Sequence, residues 1–268
     1  MRTAGPPNIH NRHKVSFSDQ VKNIIRISDI VLEIVDARHI NESRIPELEE
    51  LIKENGKMLV HVVTKIDLVD VKKLKESEEV KELSHPLFIS CKTKEGIKNM
   101  REKLHIFSKN FKEHERVHIG VVGYPNTGKS SVISILARRA AAPVSSQSGF
   151  TKHISKVRFA KGIHLLDGPG VIPAKENLFG DKDLKKHALL GVHVPENVRN
   201  PDLIVFEIMK SHPGRLEKHY DIESEGDVEI LLNTLGERWN ILKKKGEVDS
   251  DKTARRVLKD WHDGKIKS

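Results

Sequence analysis

The segment Gly123-Tyr124-Pro125-Asn126-Thr127-Gly128-Lys129-Ser130 lies almost halfway along a chain of 268 residues. An apolar run, Val117 to Val122, precedes it, and a helical pattern of Val132, Ile133, Ile135 and Leu136 follows. In that strand–loop–helix context a G-x-x-x-x-G-K-[ST] loop has a mechanical reason for each fixed residue. The glycines let backbone N–H groups curl around phosphates, and the helix N-terminus adds partial positive charge. Lys129 is expected to bridge the β- and γ-phosphates and Ser130 to hold Mg²⁺, with Asn126, Thr127, Gly128 and Ser131 completing the nucleotide cradle. Such a loop commits the chain to a strand feeding a helix, hence to an α/β sheet.

Two further segments sharpen the ligand. Asp167-Gly168-Pro169-Gly170 closes the apolar run Ile163 to Leu166, 37 residues after Ser130. An Asp at that strand end is expected to supply a second Mg²⁺ contact, and the Gly170 N–H to reach the γ-phosphate. Between them, Thr151 in the Ser-rich loop 143–152 is expected to complete the Mg²⁺ shell when a γ-phosphate is present. Upstream lie Thr64-Lys65-Ile66-Asp67 and Ser90-Cys91-Lys92, both after apolar runs. Asp67 has the chemistry to accept two hydrogen bonds from guanine N1–H and N2–H₂, a pairing adenine does not offer. The Lys65 stem would cover the base, and the Cys91 N–H would meet guanine O6. Thr64 stands where Asn is commoner. A GTPase normally presents base motifs after phosphate motifs; here they come first. Moving residues 29 to 107 behind residue 180 would restore the usual order, which a sheet tolerates when its old termini lie close together.

Strand and helix patterns alternate up to about Phe179. They predict a mainly parallel sheet covered by helices on both faces, with every motif at the carboxyl end of a strand. A charged helix is expected over Val71 to Leu83, and Leu203 to Met209 fits strand or helix equally. Later, Val228, Leu231, Leu232, Leu235, Trp239 and Leu242 share one helical face, and Ala254, Val257, Leu258 and Trp261 another. The expected organisation is a circularly permuted P-loop GTPase domain over 1–180, with a basic arm at 1–17, and a small helical, basic domain over 181–268.

Formal net charge is +9, and Lys243, Lys244, Lys245, Arg255, Arg256 and Lys259 cluster near the end. The excess points to a polyanionic partner. One cysteine excludes an intrachain disulfide framework and fits a reducing compartment. No apolar stretch approaches the roughly 18 residues a spanning helix needs. A cytoplasmic monomer without membrane or DNA partners is expected.

The order base motifs, Gly123 to Ser130, Thr151, then Asp167 to Gly170 resembles the circularly permuted GTPases of the YlqF/YawG class. That group includes ribosome-assembly GTPases and nucleostemin-type proteins. Similarity extends over Asp29-Ile30-Val31 to Asp36-Ala37-Arg38 and reaches the C-terminal Asp260-Trp261-His262-Asp263-Gly264-Lys265-Ile266, and an archaeal YlqF-like member is expected. The resemblance implies GTP hydrolysis to GDP and phosphate, large-subunit assembly and contact with ribosomal RNA. Val171 occupies the position where many GTPases carry a water-orienting glutamine. Help would come from K⁺ held by Asn126, or from His13, which matches a catalytic histidine of relatives although Arg12 replaces their glycine. Slow intrinsic turnover, stimulated by K⁺ and ribosomal particles, is the expectation. Two alternatives stand beside it: a GTP-gated RNA-binding scaffold with incidental hydrolysis, and an ATP-using P-loop kinase or ATPase.

Overall fold

A computed structural model describes residues 17–111, 113–137, 155–173, 186–191, 198, 200–244 and 246–266. His13, Thr151, the loop 143–152 and the expected domain boundary at residue 180 lie outside these residues.

The first half builds outward from a central strand. Helix α1 (Asp19–Ile27), capped by the Ser18 hydroxyl, leads into β1 (Ile30–Asp36), which is buried along its whole length. A short helix α2 (Ile40–Ser43) and α3 (Pro46–Glu54) carry the chain to β2 (Met58–Thr64). The expected charged helix is two helices, α4 (Val71–Glu76) and α5 (Glu78–Lys81), parted at Ser77. The Ser77 hydroxyl donates to the Leu74 carbonyl there, and its extended backbone closes the first helix. Strand β3 (Leu87–Phe88) and helix α6 (Ile97–Ser108) complete this half.

Then come β4 (Val117–Gly123), α7 (Lys129–Ala137), β5 (Ser155–Ala160) and β6 (Ile163–Asp167). Strand order is β3-β2-β1-β4-β6-β5, parallel throughout except the antiparallel β5–β6 pair. The sequence thus winds away from β1 in one direction, then from β4 in the other. The crevice between the carboxyl ends of β1 and β4 is the topological switch point, where sheets of this kind bind ligands.

Side chains alternate across β1 as pleating requires. Ile30, Leu32 and Ile34 join the core under α6 and α7, while Val31 joins Ile24, Ile25, Leu48 and Ile52 beneath α1 and α3. Burying each such side chain contributes about 1.5–3 kcal/mol. Glu33 lies on that second face too. It approaches His61 of β2 at 3.3 Å, and His61 also lies 3.3 Å from Glu49, which is held by Arg44. Ser84 presents its amide at 2.9 Å and its carbonyl at 3.2 Å to the other ring nitrogen, so either ring state is accommodated. Burial opposes a charge on His61, but the two carboxylates outweigh it and push the imidazole up to about 9.

Residues 201–266 form a helical cluster with its own core. Its helices are α8 (Pro201–Ser211), α9 (Arg215–Tyr220), α10 (Val228–Arg238) and α11 (Ser250–His262). The undecided run Leu203 to Met209 is therefore helix. Ala254, Val257, Leu258 and Trp261 are all fully buried against α8 and α10, as the spacing predicts. Leu242 departs from expectation: α10 ends at Arg238, and Leu242 is exposed in an isolated bridge with Val248. Among the described residues no helix is long and apolar enough to cross a membrane.

Candidate functional site

The segments beyond the carboxyl ends of β2, β3 and β4 meet in a cavity of about 590 Å³. It is bordered on one side by Thr64, Lys65, Asp67, Cys91 and Lys92, and on the other by Gly128, Ser130 and Ser131. A neighbouring cavity of about 470 Å³ continues past Asn126 and Lys129. Segments some 60 residues apart in the chain therefore share one site.

The phosphate loop takes its shape from close packing. Gly123 has φ +144°, and a Cβ there would sit 2.6 Å from the Ile34 carbonyl oxygen of β1. Thr127 is buried and donates to the Tyr124 carbonyl at 2.8 Å. Lys129 Nζ donates to the same carbonyl at 2.8 Å, folding its ammonium back over the loop. Burial lowers this lysine to about 8 despite the nearby Asp167 carboxylate, which pulls the other way. Asp167 is itself shifted upward by burial, against the pull of Lys129. Ser130 and Asp167 offer the hard oxygen donors that suit Mg²⁺.

On the base side, the Ser90 hydroxyl donates to Asp67 Oδ1 at 2.6 Å, orienting that carboxylate. The Thr64 hydroxyl lies 2.6 Å from the Thr127 carbonyl and 3.0 Å from that of Val35. Lys65 is left-handed at φ +58°, and its ammonium donates to Asp36 Oδ2 at 2.7 Å and to the Asn126 carbonyl at 2.8 Å. Cys91 is half-buried and its thiol is pushed up by burial, the reverse of what a nucleophile needs.

Three placements were not legible beforehand. Val171 is buried beside Tyr124, and its amide donates to the Gly123 carbonyl at 3.0 Å, so it braces the phosphate loop. Asn126 has φ +60°, and its side-chain amide donates to the Gly191 carbonyl. His262, Asp263 and Gly264, from the end of the helical cluster, line the cavity beside Asp67 and Cys91. Asp36, an acid ending an apolar strand like Asp167, carried a local signal; the C-terminal residues entered only through the resemblance, because it takes the packing of α11 to bring them near the cavity.

The site thus sets the segments Thr64–Asp67 and Ser90–Lys92 beside a P-loop that follows them in the chain. The profile of the 50S ribosome-binding GTPase family matches residues 118–234, beginning within β4. An uncharacterized GTP-binding protein of Methanocaldococcus jannaschii is 35% identical over 94% of this chain and 66% of its own. Nucleolar GTP-binding protein 2 of Neurospora crassa is 33% identical over 92% of this chain and 40% of its own. The chain therefore spans between 40% and 66% of these relatives' length. The structure of YlqF from T. maritima with GNP bound superposes with a TM-score of 0.62 at 21% identity, covering 92% of this chain and 94% of that one. The chain is thus similar in sequence to GTP-binding proteins over nearly its whole length and shares the fold of YlqF.

Proposed function

We propose that this chain binds GTP with Mg²⁺, hydrolyses it to GDP and phosphate, and acts in assembly of the large ribosomal subunit through contact with ribosomal RNA. The single observation behind this reading is the cavity that joins Asp67, pre-oriented by Ser90, to the phosphate loop at Gly128–Ser131. Asp67 pairs with the guanine edge, Lys65 covers its face, and the Cys91 N–H meets guanine O6. Lys129 leaves the Tyr124 carbonyl for the β- and γ-phosphates. Mg²⁺, when bound, would be held by Ser130 and Asp167 and would offset phosphate charge. Gly170 lies beside Lys129, which supports a contact from its N–H to the γ-phosphate. Thr151 would sense that phosphate.

An apolar Val171 turned into the core cannot orient water, which supports slow intrinsic turnover. K⁺ at Asn126, or His13 from the N-terminal arm, would supply the missing help. The organisation follows the same reading: a GTPase domain over 1–180 and a helical RNA-binding domain over 181–268. In the latter, Lys243, Lys244, Arg256 and Lys259 are exposed and Arg255 is half-buried. The relatives named nucleolar GTP-binding proteins and the 50S ribosome-binding profile support a ribosomal partner.

Hydrolysis measured with and without purified ribosomal subunits, in K⁺ and in Na⁺, tests this. Stimulation by large subunits in K⁺ is expected. Fast turnover of the isolated chain in Na⁺ would overturn it, and effective competition by ATP would remove guanine specificity.

A further inference from the structure

Asp36 stands between the guanine motif and the helical cluster. Its carboxylate receives a forked contact from Arg38, Nε to Oδ1 at 3.0 Å and Nη2 to Oδ2 at 2.8 Å. The same Oδ2 accepts the Lys65 ammonium at 2.7 Å. Both Asp36 and Arg38 are almost fully buried. Burial alone would raise the carboxyl, yet Arg38 and Lys65 hold it far below the usual carboxylate range. A forked guanidinium–carboxylate pair fixes geometry as well as charge.

The third arm of Arg38 reaches the other unit. Its Nη1 donates to the Trp261 carbonyl at 2.7 Å, and the guanidinium carbon sits 5.3 Å from the Trp261 ring centroid. Trp261 belongs to the last turn of α11, and the next residues, His262, Asp263 and Gly264, wall the base cavity. Gly264 has φ +67°, and a Cβ there would meet the Leu68 side chain at 3.0 Å, one residue past Asp67. From the same cluster, Arg215 donates to the Leu68 carbonyl at 2.6 Å. The helical cluster therefore grips the guanine loop from two directions.

Lys65 has a reason to need support. A long side chain with positive φ is strained, and strained residues persist where their surroundings over-determine them. Asp36 provides that restraint, and Arg38 orients Asp36. Each donor of Arg38 named above is spent on the protein, which leaves this residue no evident role as a ligand to phosphate.

We propose that Arg38 is a positioning residue for guanine recognition, and that through it the seating of α11 and the binding of the guanine base are coupled. The proposal rests on the guanine reading above. It adds that the base end of the nucleotide, independently of the γ-phosphate, reports to the helical cluster. GDP alone should suffice to tighten that cluster.

The test uses the full chain. GDP is expected to slow backbone hydrogen exchange over residues 258–266 in the unmodified protein, whereas ADP is not. Arg38→Gln is expected to weaken GDP binding roughly tenfold, the loss of a charged hydrogen bond, with its weaker ADP binding unchanged. Exchange at 258–266 would then no longer respond to GDP. In a double-mutant cycle with Lys65→Met, the two losses should fall short of adding, because both act through one contact. If the unmodified chain binds GDP selectively but exchange at 258–266 does not change, the coupling is overturned without recourse to any variant. Full GDP affinity in folded Arg38→Gln, or strictly additive losses, overturns it as well. Equal binding of GDP and ADP by the unmodified chain overturns the guanine reading itself, and this inference with it.

Discussion

The Thr64 hydroxyl lies 2.6 Å from the Thr127 carbonyl, so the first residue of the base motif is a strut of the phosphate loop. The shorter threonine reaches across because β2 ends beside the loop, with Thr64 opposite Asp36 in the β1–β2 register. Thr64→Val keeps the volume and removes the donor, leaving a buried carbonyl unpaired. That should cost about 1–3 kcal/mol of stability. Guanine-nucleotide affinity should fall several-fold, read by titration alongside a denaturant melt.

Asp67→Asn reverses one hydrogen-bonding polarity at the base edge. Preference is expected to move from guanine toward xanthine nucleotides, with the Ser90 hydroxyl still available to hold the amide. Competition between GDP and XDP checks this, and an unchanged preference would remove Asp67 from base recognition.

Lys129 links nucleotide affinity to pH. Burial lowers its ammonium to about 8 in the free protein. Bound phosphates favour the charged form, so complex formation takes up a proton above that pH. Affinity for GDP should therefore be flat below pH 8 and decline above it. Calorimetry at pH 9 in buffers of different ionisation enthalpy should detect the proton taken up, and Lys129→Ala should abolish tight binding.

His61 shapes stability on the alkaline side. Its folded value is about 9 against an ordinary 6.5, so the stabilisation is full below pH 6.5 and is lost as pH rises toward 9. The loss is at most about 3 kcal/mol. His39 and His212, edge-on to one another beside Trp261, behave oppositely. Burial depresses them to about 3 and about 4, so the folded state binds fewer protons and weakens as pH falls below 6.5. Thermal melts across this range should peak near pH 6.5. His61→Gln should flatten the alkaline limb, and His39→Gln should flatten part of the acid limb.

Much of this site could be read from the residues because each motif is local. Gly123 to Ser130 needs only its own strand and helix, and Asp67 and Ser90 each close an apolar run, so their type and position were recoverable from periodicity and spacing. Where local signals were balanced, one expectation was overturned and one was left open. Val71 to Leu83 has helical composition throughout, but Ser77 satisfies a carbonyl with its own hydroxyl and ends the first helix. Leu203 to Met209 is too uniformly apolar for periodicity to separate strand from helix, and only packing against α11 decides it.

By itself, the sequence determined the order of the motifs and their places at strand ends, because each is a short segment of fixed residue type beside its own apolar run. Only the tertiary structure decided that Val171 turns inward, that Asp36 is shared by Lys65 and Arg38, and that His262 to Gly264 complete the base cavity. Those relations join residues as much as 223 positions apart, as in the Arg38 bond to the Trp261 carbonyl. The last of them depends on how the helical cluster docks beside the ends of β1 and β2, a geometry that no local pattern of residues encodes.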